Sequence, residues 1–454
     1  MAKGVLSNWN RAKLEKKLRE TAETAIDGEI KIAQLKERNR QLEDQIRILI
    51  GEKPKPVIKP VSSNDLNPPE KKAHSKSSKK DKIEIDEQVD IEVEEKLPKD
   101  AKFVGQRKIV IQELRLERRN ICFNLKRYYS HSLGKTFEGK IPDNFKGREF
   151  GPQLISFIIY QYYKNRVPHK KIECMLSDLG IKISAGTICS LLNDLPEDFS
   201  DDLRSSELSG LKKCNFAHFD DTGAKFNGQN YYTFGLSNPY FTKFTTLERK
   251  KKESVKQALE LNGKLRGLKF LITDDAPNFR NLVKRHQLCW VHEIRKYKLC
   301  ELYKRFESQT LEKLLRQWRG FYKKMKNYRK NPSDELGKLI ESEFARITSI
   351  VTLVKPLDEQ LKRTAKLKDK LLLFLQYPFL PIENNQIERD LRERVIKRKI
   401  SLQNRSLKGL RAWDLMLSLA STCRKINLSF WNYLTDRTCK RESIPYLGKI
   451  IASI

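Results

Sequence analysis

The sequence predicts a multidomain α/β protein in which strand-forming segments are followed by a long helical segment. Three observations support this prediction. From residue 214 onward, apolar and polar residues alternate at period two, which is typical of strands. Over residues 293–376, leucine, isoleucine and aromatic residues recur at helical spacing. Over residues 10–50, apolar residues recur every seven positions. A chain of 454 residues is long enough for roughly three domains.

The charge of the chain favours a polyanionic partner. Lysine and arginine number 91 against 58 aspartate and glutamate residues, which gives a net charge of +33. Nucleic acid is the first candidate partner for such an excess. No run of about 18 apolar residues is present to span a membrane. The eight cysteines form no CxxC pair, which fits a reducing compartment, so we expect a soluble cytoplasmic protein.

The first hundred residues predict a coiled-coil helix followed by a flexible charged linker. In residues 1–50, Asn39 occupies one position of a heptad pattern and leucines at 35 and 42 occupy another. This combination favours a dimer, so we expect a homodimer or higher oligomer; an amphipathic helix packed on its own domain is the alternative. Residues 51–100 are rich in proline, lysine and serine and then acidic, which predicts a linker.

Two small units are predicted before the main sheet. Residues 101–150 indicate a β-rich unit, because residues 102–130 alternate as strands do. Residues 151–210 indicate a helical domain. Within that domain, residues 168–193 resemble a helix-turn-helix, with Ser184 as the N-cap of the second helix. Such a pair docks in the major groove of DNA in known proteins, whereas an ordinary pair of packed helices is the alternative.

The alternating region predicts four strands, two of which end in paired carboxylates. The expected strands are Phe216–Asp220, Tyr231–Leu236, Thr242–Glu248 and Leu268–Thr273. Asn227-Gly228 between the first two is a strong hairpin signal. Asp220-Asp221 ends the first strand, Thr222-Gly223 is expected to break the run, and Asp274-Asp275 follows the fourth strand. A strand fixes a side chain firmly enough for chemistry, although a turn-initiating aspartate is the alternative.

A third carboxylate follows the helical segment. Pro378 to Pro381 breaks the helices, and the segment IENNQIERDLRERVIKRKI then predicts a helix capped by Asn384 or Asn385. Glu388 lies beside the apolar stripe of this helix. The segment is strongly basic, and its lysines and arginines are Arg389, Arg392, Arg394, Lys397, Arg398 and Lys399.

Together the three carboxylates suit phosphoryl transfer on DNA. That reaction commonly uses two divalent ions about 3.5–4 Å apart, and such ions prefer carboxylate oxygens. Asp220, Asp274 and Glu388 come from three separate elements, and a sheet would hold the first two side by side. Basic residues around Glu388 would hold the DNA by its phosphates.

Four segments resemble the blocks of the insertion-sequence sixty-six transposases of the TnpC type. They are FAHFDDTG, LITDDAPNF, HQLCWVHEIRKY and IENNQIERDLRERVIKRK. The family reads close to H-x-D-E-T-G, S-D-G-Y, C-W-x-H-x-R-R and D-N-N-x-x-E-R-x-L-R-P. The chain departs from this pattern at Asp221, at Asp275-Ala276-Pro277 and at Glu383. The paired-cysteine zinc module that many relatives carry is absent.

The resemblance implies an RNase H-like core with a DDE triad, split by an all-helical insertion. On this sequence the triad falls on Asp220, Asp274 and Glu388, with Asp221 and Asp275 as the nearest rivals. The core would comprise residues 211–292 and 379–440, the insertion residues 293–378, and the tail residues 441–454. The implied activity is Mg²⁺- or Mn²⁺-dependent cleavage and joining of double-stranded DNA, at the ends of a mobile element and at its target.

The resemblance also implies association with the bacterial nucleoid and small accessory proteins of the same element as partners. The residues expected to bind DNA are Arg389, Arg392, Lys397, Arg398 and Lys399. Two alternatives stay open: a catalytically inactive, transposase-derived DNA-binding protein, and a basic RNA- or chromatin-binding scaffold. Cys289 and His292 have the spacing of half a zinc site, and a packing or substrate-positioning role is favoured for them.

Overall fold

A computed structural model describes residues 84–91, 98, 102, 106–195, 197–260, 268–302 and 304–454. The predicted coiled coil of residues 1–50 lies outside these residues, as does most of the predicted linker. The chain divides into two units, Met1–Arg118 and Arg119–Ile454. The described residues of the first unit contain no helix or strand. The strand expected over residues 108–114 is therefore wrong: Ile109, Ile111 and Leu114 are exposed there, without a partner strand.

The second unit begins with a small hairpin and a helical layer. Strands β1 (Arg127–Ser130) and β2 (Lys135–Glu138) pair antiparallel, so the β-rich stretch reduces to this hairpin in the described residues. Four helices follow, with a π-helical turn at Tyr160–Lys164 after the first. They are α1 (Pro152–Ile159), α2 (His169–Asp178), α3 (Ala185–Asn193) and α4 (Glu197–Lys213).

The predicted helix pair of residues 168–193 is confirmed as α2 and α3. The Ser184 hydroxyl accepts a hydrogen bond from the backbone N–H of Thr187 at 3.0 Å, which is the N-cap that the sequence predicts. Both helices bury apolar residues, such as Ile172 and Ile188, in a core that they share with Trp413 and Tyr433 near the C-terminus. This layer therefore packs on the end of the chain.

A five-stranded mixed sheet forms the centre of the unit. Its strands are β3 (Phe216–Phe226), β4 (Gln229–Ser237), β5 (Thr242–Leu247), β6 (Phe270–Thr273) and β7 (Arg285–Leu288). Their order is β5-β4-β3-β6-β7. The pairs β3–β4 and β4–β5 are antiparallel, whereas β3–β6 and β6–β7 are parallel. This order agrees with the RNase H-like core that the resemblance implies.

The sheet confirms the hairpin and corrects the length of its central strand. Asn227 and Gly228 have φ values of 45° and 80°, as a two-residue hairpin turn requires. Thr222-Gly223 does not break the strand: β3 continues to Phe226, because residues beyond Asp221 pair in register with β4. Strand β7 was not predicted from the sequence.

Helices cover both faces of the sheet. Helix α5 (Lys252–Leu259) packs on one face, where Val255 joins Phe219, Phe234 and Leu271. The opposite face contacts a helical layer with a large aromatic core that includes Trp290 and Trp318. This layer contains α6 (Trp290–Lys298), α7 (Arg305–Lys330), α8 (Asp334–Thr348), α9 (Lys355–Lys366), α10 (Lys368–Leu371) and α11 (Leu373–Gln376). The predicted helical segment is thus confirmed, and Trp290 is fully buried.

The last helices are α12 (Asn385–Ser401), α13 (Leu407–Lys425), α14 (Phe430–Cys439) and α15 (Leu447–Ser453). Helix α12 crosses β4 closely, since Ile387 lies directly over Gly235. The segment expected to be a tail, residues 441–454, contains α15, which packs on α4 with Gly448 against Ser205. In the part of the chain that the structure describes, no helix is long and apolar enough to cross a membrane.

Candidate active site

The two predicted aspartates lie on neighbouring parallel strands. The parallel pairing of β3 with β6 ends at His218 and Ile272. Asp220 lies two residues further along β3, and Asp274 directly follows the last residue of β6. Asp220 is therefore at the end of the parallel segment but inside β3, where it pairs with Gly235 of β4. The sheet holds both carboxylates at the same edge.

Helix α12 carries the third carboxylate, and Asn384 fixes its start. Asn384 precedes the helix, but its side chain does not cap the helix. Its amide Nδ2 instead donates to the backbone oxygen of Phe219 at 3.0 Å, and its Oδ1 lies 3.0 Å from Nδ1 of His218. The backbone N–H of Asn384 donates to Sγ of Cys289 at 3.1 Å. The buried Asn384 thus ties the first turn, which contains Glu388, to the strand residues directly before Asp220.

Buried charges fix the rest of α12 on the sheet. The Asp390 carboxylate lies 2.9 Å from Nζ of Lys425 and 2.6 Å from Nη2 of Arg424. It also accepts hydrogen bonds from the hydroxyls of Ser237 and Thr242, at 2.8 and 2.9 Å. A buried ion pair of this kind is strongly destabilised when one partner is removed. The position of Glu388, two residues before Asp390, is therefore set by contacts on the opposite side of the helix.

Glu388 faces α6. Its Oε1 lies 3.6 Å from Nε2 of His292 and is a buried atom without a hydrogen-bond partner. Nδ1 of His292 is also buried and without a partner. The triad therefore has a histidine neighbour that the sequence did not assign to it. The signal lay in the CWVH segment, for which the sequence favoured a packing or substrate-positioning role over half a zinc site.

The electrostatics separate Asp220 from its rival Asp221. Burial, opposed by a hydrogen bond from the Asp221 backbone and reinforced by the nearby carboxylates of Asp274, Asp221 and Glu388, raises the pKa of Asp220 to about 7. Asp221 instead forms an ion pair with Lys250 at 2.7 Å. Burial still raises the pKa of Asp221, but Lys250 opposes this effect, so the charge of Asp221 is partly compensated within the protein.

Asp275, the rival of Asp274, also lies beside cations. Asp275 lies 2.9 Å from Nη2 of Arg280 and 3.2 Å from Nζ of Lys296, and these cations lower its pKa against the opposing effect of burial. Across residues 106–195, 197–260, 268–302 and 304–454, no lysine or arginine forms an ion pair with Asp220, Asp274 or Glu388. The three acids of the predicted triad are thus the uncompensated ones, and their two rivals are paired.

The triad fits divalent metal ions as a set of donors. Carboxylate oxygens are the ligands that Mg²⁺ prefers, and the unpartnered Oε1 of Glu388 is a free acceptor. Within the described ranges, no group of three or more His, Cys, Asp or Glu side chains is arranged to hold one ion. Mg²⁺ commonly binds through one or two carboxylates together with waters and substrate phosphates, so a cage made of protein alone is not required.

The zinc alternative for Cys289 and His292 finds no support in the described residues. The Cys289 thiol is buried, and this burial raises its pKa to about 11, which disfavours the thiolate that zinc needs. Cys289 packs at the start of α12 instead.

The basic residues of α12 do not form one surface. Arg389, Arg392 and Lys399 are exposed. Lys397 is only 5% exposed, and its Nζ lies 4.6 Å from the ring centre of Trp413. Arg398 is half-buried and donates a hydrogen bond to the backbone oxygen of Gly223. Lys397 is therefore corrected from a surface residue to a buried one, because its side of α12 faces α13.

Comparisons with known proteins give similarities to one family and to one relative. The model of the transposase IS66 family matches residues 147–412, which is more than half of the chain. The uncharacterized protein y4jO of Sinorhizobium fredii is 41% identical over 185 residues, which cover 40% of this chain and 57% of that relative. The chain thus matches somewhat more than half of that relative's length.

Proposed function

Since the chain belongs to the transposase IS66 family, we propose that it is an active transposase that cleaves and joins the DNA ends of a mobile element. One observation carries the proposal: Asp274 and Glu388 lie near enough to Asp220 to raise its pKa, and in the described residues no lysine or arginine pairs with these three acids, while Asp221 and Asp275 are each ion-paired. Such clusters of like charge are typical of sites that receive metal ions or reacting groups. The family supports a DDE transposase domain; the activity and the site are the proposal.

We assign the binding of divalent ions to the three acids. Mg²⁺ or Mn²⁺, when bound, would activate the attacking hydroxyl and stabilise the leaving oxygen. Asp220 and Asp274 are held by neighbouring strands, and Glu388 is held by the contacts of Asn384 and Asp390. These supports fix the acids before substrate binds, which is what precise positioning of a phosphate requires.

Three further features support DNA as the substrate. The net charge of +33 favours a polyanion. Arg389, Arg392 and Lys399 are exposed on the helix that carries Glu388, so they are suited to contact phosphates near the acids. Helices α2 and α3 have the order of a helix-turn-helix, and we propose that they bind the element's end. A homodimer through residues 1–50, and accessory proteins of the element, remain part of the proposal.

A cleavage assay tests the proposed function. Purified full-length protein would be incubated with Mg²⁺ or Mn²⁺ and with duplex DNA carrying the ends that flank its gene. We expect cleavage at the end junction, abolished in Asp220→Asn, Asp274→Asn and Glu388→Gln with DNA binding retained. Asp221→Asn and Asp275→Asn are matched controls, since they remove a neighbouring carboxylate of the same kind, and they should still cleave. Tight DNA binding without metal-dependent cleavage in the wild type would favour the inactive, DNA-binding alternative.

A further inference from the structure

A narrow cleft lies where β3, the second half of α12 and the loop after α12 meet. Four cationic residues line it, namely Lys225, Arg394, Lys397 and Arg398, together with Gly223 and Asn404. No acidic residue is among the residues that line the cleft. The cleft is thus a concentrated positive site outside the triad.

The cations of the cleft are only partly matched by anions in the described residues. Arg394 is 4% exposed, and its buried Nη1 has no hydrogen-bond partner; its Nη2 lies 3.6 Å from the Asp414 carboxylate. In the described parts of the chain, no carboxylate forms an ion pair with Lys397 or Arg398. Lys397 instead lies over the rings of Trp413 and Tyr162. A buried cationic group without an anion is costly, so the unpartnered Nη1 of Arg394 and the buried Lys397 leave a place for one.

Gly223 makes the approach of Arg398 possible. A Cβ atom at Gly223 would lie 2.9 Å from Nη1 of Arg398, which is closer than carbon and nitrogen pack. The Arg398 guanidinium donates to the backbone oxygen of the same glycine. The glycine that follows the paired aspartates therefore lets the guanidinium lie across β3 at the edge of the cleft.

The cleft has a defined separation from the acids. Gly223 is three residues beyond Asp220, which is about 10 Å along an extended strand. Arg398 is ten residues beyond Glu388, which is about 15 Å along a helix. One DNA strand presents a phosphate about every 3.4 Å of helix axis. For a duplex whose axis runs along these elements, this separation corresponds to about three or four nucleotides.

We propose that this cleft binds one backbone phosphate of the element's DNA, about three or four nucleotides from the scissile phosphate, and so sets the register of cleavage. Guanidinium groups match phosphate oxygens in a forked geometry, and a bound phosphate would favour the charged form of the buried Lys397. The proposal rests on the proposed function, because it takes DNA as the substrate. It adds a specific phosphate site to the general basic surface.

The salt dependence of DNA binding tests the cleft. Dissociation constants of the full-length protein for duplex end DNA would be measured from 50 to 200 mM salt. The variants are Arg398→Gln and Lys397→Met, and Lys338→Gln, at an exposed lysine of α8, is the matched control. Each neutralised phosphate contributes about −0.9 to the slope of log K against log salt. We expect each cleft variant to neutralise one phosphate fewer than the wild type. The ratio of its dissociation constant to that of the wild type should therefore fall about 3.5-fold from 50 to 200 mM salt. The control should keep the wild-type slope.

Cleavage products give a second readout. Because Arg398→Gln no longer anchors the register phosphate, we expect its products to spread over neighbouring nucleotides, whereas Lys338→Gln cleaves at one position. Thermal melting of each variant shows whether it is folded. Wild-type slopes and a single cleavage position in folded cleft variants would overturn the proposal. A third outcome would also overturn it. If inorganic phosphate stabilises the wild type but not Arg398→Gln, and the salt slope of DNA binding is the same in both, the cleft binds a free anion and not DNA.

These results are separable from the proposed function. The salt slope needs only DNA binding, so it can be measured in the absence of metal ions. Failure of the wild type to cleave would count against the transposase activity and leave the slope to decide on the cleft. Normal cleavage with unchanged slopes would count against the cleft alone.

Discussion

Adding one methyl group beneath α12 should displace Glu388 without touching it. In the Gly235→Ala variant, the new Cβ would lie 2.6 Å from Cδ1 of Ile387 and 3.3 Å from Cδ2 of Leu391. Carbon atoms pack at about 3.5–4.0 Å, so Ile387 must move away by about 1 Å. Glu388 is the next residue in the chain, and we expect it to move with the helix.

The size of the effect follows from this displacement. A misplacement of about 1 Å in a catalytic group costs about 100-fold in rate. Overpacking of a buried site also lowers the free energy of unfolding by about 1–3 kcal/mol. We therefore expect cleavage of end DNA to slow about 100-fold in a protein that remains folded and binds DNA as before.

The assay compares single-turnover cleavage rates at saturating protein, so that binding does not limit them. Gly320→Ala adds the same methyl group at an exposed helical position where no atom lies within 4 Å. It should leave the rate unchanged and raise stability by about 0.5–1 kcal/mol, because alanine is the better helix former. Adding Ile387→Val to Gly235→Ala removes the clashing Cδ1, and we expect it to recover about tenfold in rate, within the usual range of coupling between contacting residues. A wild-type rate in folded Gly235→Ala would refute the argument that this contact positions Glu388.

Three further predictions concern the buried charges. Asp390→Ala leaves Lys425 buried without its carboxylate, so urea titration should show a free energy of unfolding lower by about 3–5 kcal/mol. Asp369→Ala, at an exposed position, should change the free energy of unfolding by less than about 0.5 kcal/mol. Equal effects of the two substitutions would contradict the role given to Asp390. In metal-free protein, Asp220→Asn should raise the melting temperature, since it removes a carboxylate that burial and its neighbours disfavour; a fall would show that Asp220 stabilises the fold instead. Burial and Arg394 lower the pKa of Lys397 to about 7, so between about pH 7 and pH 10 the unfolded chain binds more protons than the folded protein. The free energy of unfolding of the wild type should therefore rise relative to that of Lys397→Met as pH rises through that window. Parallel curves of stability against pH would contradict this.

The sequence predicted those parts of the fold whose signals are local. Asn227-Gly228 has the backbone freedom that a two-residue hairpin needs, and period-two alternation marked the strands on either side. Ser184 caps its helix as predicted. The order of the acids along the chain placed Asp220 and Asp274 after neighbouring strands, because parallel strands bring such residues to one edge of a sheet.

Features that depend on distant contacts were not predicted. Gly223 indicated a turn, but it lies inside β3, where its missing side chain makes room for Arg398. Strand β7 is only four residues long and contains arginine, histidine and glutamine, so its alternation is too weak to indicate a strand. On α12, the buried residues include Asp390 and Arg394, which a hydrophobic pattern assigns to the surface.

The sequence alone also offered no physical reason to choose between adjacent aspartates as the triad member. Asp220 and Asp221 are equivalent in the sequence alone, since each follows the same apolar run. Their difference comes from Lys250, which is 29 positions away in the chain and pairs with Asp221. Resemblance to a family selected Asp220, and the ion pair supplies an independent physical reason for the same choice.

Binding of Mn²⁺ measured by calorimetry, in the presence of end DNA, tests the central claim most directly. The claim is that Asp220, Asp274 and Glu388, rather than their ion-paired neighbours, hold the divalent ions. We predict that Asp220→Asn, Asp274→Asn and Glu388→Gln each weaken Mn²⁺ binding at least tenfold, which corresponds to about 1.4 kcal/mol, while Asp221→Asn and Asp275→Asn bind as the wild type does. Loss of binding in Asp221→Asn or Asp275→Asn, with binding retained in the three triad variants, would contradict the account.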